Sequence, residues 1–147
     1  STNISYRDSK KFIKQLNSIT GKHFRLPTEE EWEYAAKGGR KGRPYKYCGS
    51  DNLDEVAWYW ENSGDVTHDV ASKKPNELGV YDMSGNVWEW CSSDYREYAG
   101  TTKAKDLNSK VTRGGCATSM SNGCRTSRRY KCKQDHKACY LGFRLAL

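Results

Sequence analysis

The sequence predicts an α+β domain in which two helices near the N-terminus precede a long, irregular, aromatic-rich remainder that holds only brief strands. Two observations carry this. Apolar residues recur at helical spacing only before Gly39. Beyond it, glycine, asparagine, aspartate and serine punctuate short aromatic runs such as "YKYCG" and "VAWYWENSG".

The first helix lies in "SYRDSKKFIKQLNSITG", where Phe12, Ile13, Leu16 and Ile19 share a face, Ser5 can cap the start and Gly21 can end it. The second lies in "PTEEEWEYAAKGG". Thr28 with Glu31 three residues on is a capping box, and Gly38 and Gly39 stop the helix. Acids in a first turn favour the helix dipole, so the clustered glutamates read as helix-start electrostatics rather than as paired catalytic carboxylates. Later regular structure is confined to short strands near Val87 to Trp90, Val111 to Gly114 and Gly142 to Leu145. Long loops in a compact domain are usually functional or held by ligands and ions.

The 147 residues suit one domain, taken as 1–147, with no repeat or low-complexity linker to divide it. No apolar run approaches a membrane span, and no basic-then-apolar leader opens the chain, so membrane insertion is not expected and nothing in the sequence shows a location. The start at Ser1 reads as that of a processed or excised piece.

The net charge of +7 is concentrated. From Val111 to Leu147 eight basic residues face a single acid, Asp135, while the rest of the chain is balanced. The same segment holds Cys116, Cys124, Cys132 and Cys139, four of the six cysteines. There is no C-x-x-C, and the positions of His23, His68 and His136 make no zinc-finger pattern with the cysteines, which argues against structural zinc. A disulfide framework and free buried thiols both remain open.

Four motifs in order, "FRLPTEEEWEYAAKGG", "NELGVYDMSGNVWEW", "VTRGG" and "LGFRLAL", resemble the sulfatase-modifying-factor domain of the formylglycine-generating-enzyme family, from about Ser5 to the C-terminus. The resemblance implies a variant of the C-type lectin fold, with two helices flanking small, twisted antiparallel sheets and long irregular loops. The family's first strand and glycine-rich "G-x-F-x-M-G" segment are expected to be missing. Members that oxidise a sulfatase cysteine carry a C-x4-C pair that binds copper after the glycine pair. Here seven residues separate Cys116 from Cys124 and Cys124 from Cys132, and Ser119 or a neighbour stands where the first active cysteine is expected. Soft thiolates at close approach are what copper requires, so neither copper nor formylglycine-forming activity is expected.

Another branch of the same fold, the variable proteins of diversity-generating retroelements, is similar in keeping the two helices and "GNVWEW" as scaffold. It places diversified side chains between "RGG" and "LGFR", where they bind varied ligands, often a protein or other surface ligand on a cell or phage particle. The window here runs from Cys116 to Tyr140. On this reading the chain is a non-catalytic binding module whose candidate contacts are Ala117, Thr118, Ser119, Ser121, Asn122, Arg129, Tyr130, Lys131 and Lys133. Tyr130 and Arg129 are the strongest anchors by residue type. The alternatives are a formylglycine-generating or related metal-dependent sulfur oxidoreductase, and anion or nucleic-acid binding by the basic tail. Scattered lysines without a recognised module are usually a solvated face, which argues against nucleic acid.

Strand alternation puts Trp88 and Trp90 on one face, to build core, and Glu89 on the other. Glu89, Asp82 and the carbonyls of Gly85 and Val87 can enclose a calcium ion, which takes carboxylate and backbone oxygens on irregular chain. Resembling enzymes bind calcium at the matching positions, with an asparagine in place of Asp82. A salt bridge at Glu89 is the plain alternative. Asn62 and Asp69 match loop oxygens near a second ion, although turn capping explains them as well. His136 reads as solvated surface, Cys91 and Cys124 as small buried hydrophobes, and Arg113 and Arg144 as structural ion-pair members.

Overall fold

The structure is a computed structural model and describes residues 2–97 and 106–147. Helix α1 spans Tyr6–Thr20 and α2 spans Glu29–Ala36; Ser5 caps the first as expected, with Asp8 completing a capping box that was not foreseen, and the expected box of Thr28 with Glu31 opens the second. Gly21 ends α1 in the left-handed region at φ 67°, and its N–H donates to the Asn17 carbonyl at 2.9 Å. The face that α1 buries differs from the predicted stripe. Tyr6, Ser9 and Ile13 are covered, whereas Phe12 and Ile19 are exposed, with the Phe12 ring edge-on to Phe143 at 5.7 Å. Two further single-turn helices follow, α3 at Leu53–Val56 and α4 at Trp60–Ser63.

Four strands form one sheet: β1 at Trp88–Tyr95, β2 at Asp106–Arg113, β3 at Arg129–Lys133 and β4 at Leu141–Gly142. The order is β3-β2-β1-β4, antiparallel except for the short parallel pairing of β1 with β4. An isolated bridge between Arg25 and Ala146 ties the C-terminal residues to the segment before α2. Three strands extend or shift the expected ones. β1 is longer, β2 begins further upstream, and β4 stops at Gly142 instead of reaching Leu145. β3 was not expected, because "RYKCK" lacks an apolar alternation and is held by its pairing with β2 instead.

The register explains the core. Trp90 faces Thr112, which faces Tyr130, and this side of the sheet packs on α1 through Tyr6, Ile13, Leu26 and Leu141. Glu89 faces Arg113, which faces Arg129, and this side meets α2. There Trp32, Ala36, Met83, Cys91 and Val111 form the second cluster. Both sheet faces are therefore covered, and the expectation that Glu89 points away from a one-sided core is corrected: its residue is 4 % exposed. Charged residues on that face are tolerated only as a paired row. Arg113 forms ion pairs with Glu29 and Glu33, Arg129 with Glu29, and Arg144 with Glu89. Glu29 and Glu33, four residues apart on one face of α2, thus serve the sheet as well as the helix start.

Candidate ligand-binding surface

Between β2 and β3 the chain from Gly114 to Arg128 crosses the end of the sheet with little regular structure, and its backbone is fastened from below. Ala117 donates its N–H to the Asn86 carbonyl at 2.9 Å, and its own carbonyl accepts from Ser63 Oγ at 2.7 Å. Trp60 N–H donates to the Ser119 carbonyl at 3.0 Å. Buried Ser84 donates Oγ to the Cys124 carbonyl at 2.8 Å while accepting from Cys48 N–H at 3.0 Å. Thr126 N–H reaches the Lys46 carbonyl at 3.1 Å. Arg113 Nη1 donates to the carbonyls of Thr126 and Arg128 at 2.9 and 3.0 Å. Such buried backbone bonds do not depend on side-chain identity in the segment they hold.

Side chains then divide into two sets. Thr118, Asn122, Tyr130, Lys131 and Lys133 are exposed, as expected of a displayed surface, and Ser121 is half-buried. Ala117 is 0 % exposed and cannot offer its methyl to a ligand. Ser119 uses its Oγ to accept from Cys116 N–H at 3.0 Å, so it holds a turn. Arg129 is bound by Glu29 through Nε and Nη2 and donates Nη1 to the Arg96 carbonyl at 2.8 Å. It is an anchor of the scaffold, which the residue type did not reveal. Missed by the sequence reading were Met120, Arg125, Ser127, Arg128 and Tyr95. Met120 is 72 % exposed, and the other four line an open groove of about 770 Å³ together with Asn122, Arg129, Tyr130 and Lys131. The available signal was the crowding of arginines between Cys124 and Tyr130.

All six cysteines are free thiols. Ser119 Oγ and Thr118 Oγ1 each lie 3.3 Å from Cys116 Sγ. Cys124 is fully buried, and burial pushes its thiol up to about 12, which disfavours the thiolate that nucleophilic attack requires.

Asp82, Val87 and Glu89 line another pocket with Tyr81, Asn86 and Arg144, while Gly85 is turned to the loop and donates its N–H to the Gly114 carbonyl at 2.7 Å. Glu89 Oε2 accepts from Trp32 Nε1 and Arg144 Nε, both at 2.7 Å, and Oε1 accepts from Arg144 Nη2 at 2.7 Å. Asp82 Oδ2 accepts from Ala71 N–H at 2.7 Å, while its Oδ1 is buried without a partner. Burial pushes the Asp82 carboxyl up. Two carboxylates against one guanidinium leave a negative charge over, and an orphaned carboxylate oxygen faces no donor. The orphaned Asp82 oxygen suits a hard cation, whereas both Glu89 oxygens already accept from Arg144 or Trp32. Among the described residues no three His, Cys, Asp or Glu side chains gather, so any ion there must draw on backbone carbonyls. Asn62 caps α4, accepting from Tyr59 N–H at 2.9 Å and donating to Asp54 and the Ala57 carbonyl. The Asp69 carbonyl accepts from Ser72 Oγ.

Residues 1–147 match the family model described as the sulfatase-modifying factor enzyme 1-like domain. The chaperone protein LppX of Paenibacillus barcinonensis is 41% identical over 116 residues, covering 67% of this chain and 40% of that protein. The formylglycine-generating enzyme of Streptomyces coelicolor is 35% identical over 145 residues, with 83% and 46% covered. The inactive C-alpha-formylglycine-generating enzyme 2 of Bos taurus is 35% identical over 138 residues, with 83% and 43% covered. Among solved structures, Treponema denticola variable protein 1 superposes with a TM-score of 0.88 at 29% identity over 98% of this chain and 69% of that one. The chain spans less than half the length of these curated relatives. Its sheet between two helices, its long fastened loops and this match over its whole length together place the chain in the sulfatase-modifying factor enzyme 1-like family, with the C-type lectin-like fold of the formylglycine-generating enzymes.

Proposed function

We propose that the chain is a non-catalytic ligand-binding module that displays the side chains between "RGG" and "LGFR" to a protein or other surface ligand. The observation that carries this reading is the division of labour from Gly114 to Lys133. The backbone is fixed by bonds to Asn86, Ser63, Ser84 and Arg113, while Thr118, Met120, Asn122, Arg125 and Arg128 extend outward. The likeness to a variable protein supports it, as does the serine at position 119 with a buried, protonated Cys124 thiol. The test changes Thr118, Met120, Asn122, Arg125 and Lys131 together to alanine. Exposed substitutions away from caps and core cost no more than about 0.5 kcal/mol each. The expected result is a melting midpoint within a few degrees of the parent and loss of binding to a partner selected from a displayed-peptide library. Collapse of the fold, or conversion of a sulfatase-derived cysteine peptide to its aldehyde with copper and oxygen, would overturn the reading.

Calcium belongs to the same proposal as a structural ion held by Asp82, Glu89 and the carbonyls of Gly85 and Val87. An ion that binds only the native state adds about 2.7 kcal/mol at a hundred times its dissociation constant. Thermal unfolding in calcium is expected to lie several degrees above that in chelator, and Asp82→Ala should shrink the gap. Identical midpoints in both buffers would remove the ion from the account.

A further inference from the structure

Among the described residues, the charged side chains lining the groove over β3 are all basic: Arg125, Arg128, Arg129 and Lys131 stand there with Tyr95 and Tyr130. Arg125 and Arg128 are exposed and close a turn in which Arg128 N–H donates to the Arg125 carbonyl at 3.0 Å. Arg113, buried beneath, holds the carbonyls of that turn, so the two guanidinium stems rise from a fixed backbone. At the edge of the groove a carboxylate is already in place: Glu29 of α2 takes a two-pronged contact from Arg129, with Nη2 to Oε2 at 2.9 Å. The wall thus binds a carboxylate within the chain itself, and Arg125 and Arg128 repeat the donor chemistry on its outer side.

From this arrangement we infer that the groove docks an acidic protein segment, its clustered Asp or Glu side chains received by Arg125 and Arg128. The inference rests on the binding-module reading and names the class of ligand. Tyrosine and arginine are the residues that most often anchor protein interfaces, and a rigid arginine-lined groove selects planar oxyanions. Nucleic acid fits less well because its bases need open aromatic faces. Here Arg129 and Lys131 stand 5.0 and 5.2 Å from the Tyr95 ring centre, and Tyr130 packs 5.5 Å from Trp88. Opposite charge on the partner would speed encounter and make binding fall with salt.

The test uses the full chain and three fluorescent probes of equal length: an octapeptide of alternating Glu and Ser, its Gln and Ser counterpart, and an oligothymidylate. Anisotropy titrations at low and physiological salt read the dissociation constants. The acidic peptide is expected to bind at least tenfold more tightly than the neutral one, and the Arg125→Gln/Arg128→Gln variant to lose that preference. Lys10→Gln/Lys14→Gln on α1 removes the same charge elsewhere and should leave it intact. Equal binding of both peptides, equal loss in the two variants, or tighter binding of the oligothymidylate would each overturn the inference. If the acidic peptide fails while a library-selected partner still depends on Thr118, Met120 and Asn122, the module stands and only its acidic ligand falls. If no partner depends on either set, both fall.

Discussion

Replacing Arg113 with methionine is expected to cost about 3–5 kcal/mol of stability, the range for breaking a buried ion pair from one side. Its side chain is 0 % exposed, pairs with Glu29 and Glu33, stacks 5.4 Å from the Trp32 ring and holds two loop carbonyls. Methionine fills the volume but leaves the carbonyls of Thr126 and Arg128 without their donor and Glu33 with Lys37 alone. Denaturant unfolding should show the loss in the midpoint, and amide exchange should rise around Thr126. Combining Arg113→Met with Glu33→Gln should recover part of the loss, since removing both charges spares the stranded one. A cost below about 1 kcal/mol would mean that solvent reaches this site and that the loop is held by other bonds.

Glu89→Ala is the second large effect, also expected at about 3–5 kcal/mol, because Arg144 and Trp32 Nε1 lose their acceptor together. Glu89→Gln keeps an acceptor for the indole and should cost less. Both variants are compared in chelator, so that the ion pair is measured apart from any bound calcium. Full retention of stability in Glu89→Ala would show that Arg144 finds another partner, such as Asp82, whose charge already acts on Arg144 and whose Oδ1 has no partner.

Local signals were legible where the cause is local. The cap at Ser5, the capping pair of Thr28 with Glu31, and the left-handed stop at Gly21 depend on residues within one turn. The four motifs marked the family and its fold. What failed to show was anything that depends on a partner far along the chain. The burial of Ser9 rather than Phe12 follows from where the sheet lies against α1. β3 exists because β2 offers it an edge, since "RYKCK" alone does not alternate.

The candidate surface divides in the same way. Its limits, between "RGG" and "LGFR", and its basic composition belong to the sequence, because they rest on residue type and order. Which side chains are available does not. Ala117 and Ser119 were expected outside and are used inside, while Arg125 and Arg128, counted only as charge, line the groove. Residue chemistry is a property of each position, but exposure and pairing are set by neighbours a hundred residues away, as when Glu29 claims Arg129. The sequence therefore determined the two capped helices, the family and the charge of the tail. Only the tertiary structure decided which arginines are buried as rivets and which stay exposed, because a guanidinium is held or left in solvent according to the carboxylates the fold brings within reach.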